Sequence, residues 1–177
     1  FFMFLTYLMS VIIPIFILVC EYNKINLLDK IYMILAKACI LRKDTKEAKK
    51  ILISLIEKND NCTEAHKMLA EIYEQEGGIR KAIDEYVKVV DLDPNAYDSY
   101  FKIATLLKEL GNKEDSLDML TKLVNKKPDY LEASIALTDL LCEDERYKEA
   151  ISIMNEAIKY YPNNFDIYYN MGMIYTM

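Results

Sequence analysis

Among 177 residues there is one histidine, His66, and no tryptophan. One imidazole cannot build a multi-histidine metal site. The four cysteines, Cys20, Cys39, Cys62 and Cys142, form no C-x-x-C pair. That spacing excludes a zinc ribbon and a dithiol redox motif, and the thiols read as reduced. No basic run occurs, and the net charge is −6 with a pI near 5.0. The overall charge argues against a nucleic acid or another polyanion as partner, because phosphate binding needs clustered Lys and Arg. Neither G-x-x-x-x-G-K-[ST] nor G-x-G-x-x-G surrounds Gly77-Gly78, so this pair reads as a turn and not a phosphate loop. Asn61-Cys62-Thr63 fits a glycosylation acceptor, a triplet that matters only in a secretory lumen.

Charge is missing altogether from residues 1–20, FFMFLTYLMSVIIPIFILVC, where only Thr6, Ser10 and Pro14 fall outside the hydrophobic set. At a rise of about 1.5 Å per residue this stretch makes about 30 Å of helix, the thickness of a bilayer core. It is longer than a signal-peptide core of about 7–15 residues, and no small-residue cleavage site follows. The expectation is a transmembrane helix over 1–20 and a linker over 21–28. Lys24, Lys30 and Lys37 follow it, which favours a cytoplasmic side for the remainder. The span is then the single one or the last of several. A product cleaved near residue 21 and secreted is the competing reading.

The remainder, with about half its residues hydrophobic, repeats at 34 residues. With units starting at Asp29, Thr63, Tyr97, Leu131 and Phe165, position 7 reads Leu35, Leu69, Ile103, Leu137 and Met171. Position 8 reads Ala36, Ala70, Ala104, Thr138 and Gly172, and position 20 reads Ala48, Ala82, Ser116 and Ala150. Position 32 holds Asp60, Pro94, Pro128 and Pro162. Small residues at 8 and 20 let two antiparallel helices approach closely. The proline lacks an amide donor and restricts its predecessor, so a helix ends there. Gly77 and Gly111 at position 15 supply the turn between helices, whereas Lys43 and Glu145 depart from that pattern.

These residues resemble the tetratricopeptide repeat family, and one span followed by such repeats resembles its membrane-anchored bacterial type. The resemblance implies an all-α solenoid: repeats over 29–62, 63–96, 97–130 and 131–164, and the first helix of a fifth over 165–177. Further repeats or a capping helix are expected beyond, because Met171, Ile174 and Tyr175 would otherwise stay partly uncovered. The departures are His66 and Ser134 at position 4, where Tyr32, Tyr100 and Tyr168 stand elsewhere, and aliphatic Leu52, Leu120 and Met154 at position 24. His66 reads as a packing histidine, since no convergent group completes a site around it. Cys39 reads as a core thiol, and Cys142, one residue past the equivalent slot, could reach the groove.

The resemblance also implies a concave groove lined by positions 2, 5, 9, 12 and 13. There the sequence places Glu64, Glu71, Glu74, Asp98, Glu109, Glu132, Asp139 and Glu143 against Lys30, Lys37, Lys67 and Lys108, with Met33, Ile40, Leu41, Phe101 and Ile135 between them. An acidic groove with apolar patches suits a basic or amphipathic protein segment. The family's chaperone-tail carboxylate clamp is absent: its five positions read Met33, Lys37, Met68, Asp98 and Lys102 in one frame, and Lys67, Glu71, Lys102, Glu132 and Ala136 in the next. The expected function is a membrane-anchored interaction scaffold without cofactor, metal or catalysis. The alternative is the regulatory or substrate-binding part of a larger membrane enzyme such as a glycosyltransferase.

Overall fold

The computed structural model describes residues 27–176. The expected transmembrane helix over 1–20, and residues 21–26 of the expected linker, lie outside the described residues. Among the described residues no helix is long and apolar enough to cross a membrane.

Nine helices and no strand are found among the described residues. They are α1 (27–41), α2 (Thr45–Lys58), α3 (Thr63–Gln75), α4 (Ile79–Leu92), α5 (Tyr97–Glu109), α6 (Lys113–Lys126), α7 (Leu131–Glu143), α8 (Tyr147–Tyr160) and α9 (Phe165–Thr176). The chain divides into two compact units, one ending at Leu69 and the other beginning at Ala70, within α3.

In the first unit Ala36, Ala48, Leu52 and Leu55 are fully buried. Lys58 Nζ donates to the Tyr32 hydroxyl at 2.7 Å and Asn59 Nδ2 to Asp29 Oδ2 at 2.7 Å, which fastens the end of α2 to the start of α1. His66 is buried, with Nε2 3.0 Å from the Asp60 carbonyl oxygen. Asp60 stands where the later repeats carry proline, yet α2 still ends two residues before it, as α4, α6 and α8 end two residues before Pro94, Pro128 and Pro162.

In the second unit each helix packs on its neighbours in sequence from α4 to α9. One cluster joins Ala70, Ala82, Tyr86, Val90, Ile103 and Leu106. A larger one runs from Ala104 through Leu123, Leu137 and Met154 to Ile167 and Ile174. Each large aliphatic side chain so buried contributes about 1.5–3 kcal/mol relative to exposure. Ile174 corrects the sequence expectation. It is buried because α8 and the preceding core cover that side of α9, while Tyr175 alone of the trio is exposed and Met171 is half-buried.

Two hydroxyls occupy small-residue positions with opposite outcomes. Ser116, at position 20, donates Oγ to the Ala104 carbonyl at 2.7 Å and so bonds α6 to α5. Thr138, at position 8, is buried with no hydrogen-bond partner for Oγ1 among the described residues. Such an orphan costs about 1–3 kcal/mol.

All four turns at position 15 are left-handed: Gly77 and Gly111 have φ of 75° and 80°, and Lys43 and Glu145 have φ of 62° and 59°. The same paired bonds close each turn. The Glu145 amide donates to the Cys142 carbonyl at 3.0 Å and Arg146 to Leu141 at 2.8 Å, as Gly77 does to Glu74 and Gly78 to Tyr73. Left-handed backbone costs a side-chain-bearing residue about 1–2 kcal/mol, so the two departures from glycine are departures in residue type and not in geometry. Glu145→Gly is expected to stabilise the protein by about 1 kcal/mol, since glycine removes the steric conflict at the helix end but adds freedom to the unfolded chain. Chemical denaturation checks this, and a lower midpoint for the variant would contradict it.

Candidate groove on the first helices

The sequence-predicted groove residues fall in both units, and each unit is taken alone. In the first, Met33 is half-buried on α1, and Lys67 is half-buried on α3. Lys37 Nζ lies 3.2 Å from Glu64 Oε1, linking α1 to α3 through two exposed side chains. A pair so exposed adds little stability, and its consequence is to neutralise two of the predicted groove charges.

In the second unit α5 carries Asp98, Phe101 and Lys108, and α7 carries Glu132, Ile135 and Asp139. These positions recur at the helical period, which places them along one side of each helix. Asp98 Oδ1 accepts the Tyr130 hydroxyl at 3.0 Å, and the Tyr130 ring lies 5.7 Å from that of Phe101. Burial, and then this bond to a carboxylate, push the Tyr130 phenol up to about 12. Phe101 and Ile135 are half-buried and pack against the main core, so each offers one apolar side outward.

Glu74 is committed twice. Its Oε1 accepts Lys102 Nζ at 2.7 Å and its Oε2 accepts the Tyr86 hydroxyl at 2.9 Å. Tyr86 is almost wholly buried, and burial followed by Glu74 drives its ionisation far above the usual range. Glu143 is held below the usual carboxylate range, first by the Lys108 hydrogen bond at 3.0 Å and also by Lys113 at 3.3 Å. Lys113 bonds Asp144 as well, at 2.6 Å.

Glu71, Glu109, Glu132 and Asp139 remain exposed, and they enter no ion pair among the described residues. Asp139 has the most telling environment. Its carboxyl is pushed above the usual range by burial, with Glu143 acting in the same sense and Lys108 opposing. Yet the side chain is solvent-accessible. Cys142, on the same stretch of α7, has its thiol pushed up by burial and then by Asp139, so it is less thiolate-like than a free cysteine.

Thus the structure ties Glu64, Glu74, Asp98 and Glu143 to partners within the chain and leaves Glu71, Glu109, Glu132 and Asp139 outward. The residues that sequence reasoning missed are the ties themselves, Lys102, Lys113, Tyr86 and Tyr130. They lie outside the five groove positions, and for Lys102, Lys113 and Tyr130 the signal that could have found them is a sequence separation near one repeat, as between Asp98 and Tyr130, whereas Tyr86 lies only 12 residues from Glu74.

Three family models, each described as tetratricopeptide repeat, match residues 63–96, 98–130 and 153–177, together more than half of the chain. No curated protein matched the sequence. Among solved structures, MamA from residue 41 to its end, of Desulfovibrio magneticus RS-1, is 20% identical with a TM-score of 0.67, covering 84% of this chain and 84% of that chain. A tetratricopeptide repeat protein from Parabacteroides merdae is 15% identical with a TM-score of 0.74, covering 82% of this chain and 58% of that one. YrrB, described as a TPR protein with an unusual peptide-binding site, is 19% identical with a TM-score of 0.66, covering 82% and 75%. At these identities the likeness is one of fold. The 34-residue period, the paired helices and the matched segments agree: the chain belongs to the tetratricopeptide repeat family.

Proposed function

We propose that this protein is an interaction scaffold, held at a membrane by residues 1–20 with its repeats on the cytoplasmic side. In this reading the first-helix face of the unit beginning at Ala70 binds a helix or extended peptide carrying basic and apolar residues. The observation that carries it is the outer side of α7, where exposed Glu132 and Asp139, in no ion pair among the described residues, flank half-buried Ile135. The partial burial that raises the Asp139 carboxyl acts in the sense that an approaching cation offsets. Glu71 and Glu132 extend the negative charge, and Phe101 and Ile135 supply surface for apolar anchors. The peptide-binding site described for YrrB is a precedent on the same fold. We read the role as binding and not catalysis, because the titratable groups on this face are engaged in structural pairs or stand alone.

Photocrosslinking tests the proposal. A benzophenone amino acid replacing Phe101 or Ile135 should form adducts with a protein partner in cells, and one replacing exposed Lys88 on α4 should not. Adducts of equal yield from all three positions, or from Lys88 alone, would overturn the assignment of the face.

A further inference from the structure

Helix α1 is apolar on two sides. Fully buried Ala36 and half-buried Met33 and Ile40 face the interior of the first unit. Leu27, Ile31, Ile34, Ala38 and Leu41 follow one another at spacings of four and three, so they share a single stripe, and all five are exposed. Ile34 is 66% and Leu41 86% accessible, and Leu28 and Leu35 widen the stripe on one flank. A helix that is apolar all round requires cover on every side. Uncovered aliphatic surface of this continuity marks a docking surface.

The charge around the stripe is opposite to that of the molecule. Residues 21–50 hold eight Lys and Arg against four Asp and Glu, although the whole chain carries −6. Arg42, Lys43, Lys46, Lys49 and Lys50 crowd the end of α1 and the start of α2, and Lys30 stands beside the stripe. Apolar residues along one side with cations at its edges are the pattern of a helix lying in a lipid interface. Leu27 also follows the uncharged segment 1–20 by seven residues, so even a fully extended connection holds it within about 25 Å of Cys20.

We propose that the exposed stripe of α1 docks on an anionic lipid surface, with Arg42, Lys43 and Lys46 against the headgroups. The docking rests on residues 1–20 as the anchor that brings α1 to the bilayer. It would fix the first repeat against the membrane.

The absence of tryptophan makes the test direct. Full-length protein bearing Ile34→Trp is reconstituted in phosphatidylcholine vesicles, with or without phosphatidylglycerol and with bromine on the upper acyl chain. Expected is blue-shifted emission that loses most of its intensity to the brominated lipid, more so with phosphatidylglycerol. Arg42→Glu, Lys43→Glu and Lys46→Glu together should abolish that extra loss, and Val87→Trp on α4 should stay unquenched. Red-shifted, unquenched emission would mean a stripe left in water. Blue-shifted but unquenched emission would mean cover by protein, either residues 1–20 folded back or a second copy. Either result overturns the docking, as would equal quenching of Val87→Trp. Alkaline carbonate extraction reads the anchor separately: release of the protein defeats the anchor, whereas retained protein with an unquenched tryptophan defeats only the docking.

Discussion

Ala82→Leu is expected to lower the free energy of unfolding by about 1–3 kcal/mol. Ala82 has no accessible surface and sits in one cluster with Ala70, Tyr86 and Ile103. Ala70 and Ala82 are both small because α3 and α4 approach there, and three added methylene-sized groups have no free volume to occupy. The displacement would not stay local. Tyr86 lies one turn along the same face, and its hydroxyl reaches Glu74, which in turn holds Lys102, so pushing the helices apart strains a bond made from a buried phenol. At about 2–4 °C per kcal/mol for a chain of this size, the melting temperature should fall by several degrees. Val87→Leu, on the exposed side of the same helix, should change stability by less than about 0.5 kcal/mol. An unchanged melting curve for Ala82→Leu would mean that the 34-residue register assigns the wrong residues to the helix contact.

The all-α repeat architecture is legible in the sequence because its determinants are local and recur: a small residue at 8 and at 20, and a helix end two residues before position 32. Lys43 and Glu145 show where residue type misleads. They look like broken turns, yet the helices on either side over-determine the turn, and the backbone accepts left-handed φ at both. Ile174 misled in the opposite direction, because a terminal helix packed on one neighbour still buries the residues on that side. The face of the candidate groove follows from the family resemblance, but its charge does not follow from counting acids. Whether Glu74 or Asp98 is available depends on Lys102 and Tyr130, each about a repeat away in sequence, and such distances exist only once the helices are packed. The stripe on α1 was hidden for a related reason. Leu27, Ile31 and Ile34 have the spacing of core residues, and nothing in a periodic pattern says which apolar side lacks a neighbour.

Reversing three of the outward acids, with Glu71→Lys, Glu132→Lys and Asp139→Lys combined, is expected to weaken binding of a basic amphipathic partner by about tenfold or more, equivalent to about 1.4 kcal/mol. Helicity and melting temperature should change little, because none of the three holds another element in place. The loss should shrink as salt rises, since exposed charges are screened beyond about 10 Å at 0.1 M. Glu74→Lys is the contrasting variant. It sets a cation against Lys102 and leaves the buried Tyr86 hydroxyl without its acceptor, so about 1–3 kcal/mol of stability should go with it. The pH dependence separates Asp139 from the other two. Its folded pKa is raised, so on acidification it takes up its proton before an ordinary aspartate does, and partner affinity should begin to fall at a correspondingly higher pH. For stability the sign is the reverse: a raised acid means the folded state binds the proton more tightly, so this group's penalty is present above its folded pKa and relieved as pH falls through it. Asp139→Asn should therefore remove the early loss of affinity without introducing an acid-labile step in folding. Binding titrations across pH read this, and a triple reversal that binds as tightly as the native chain at low salt would place the partner elsewhere on the molecule.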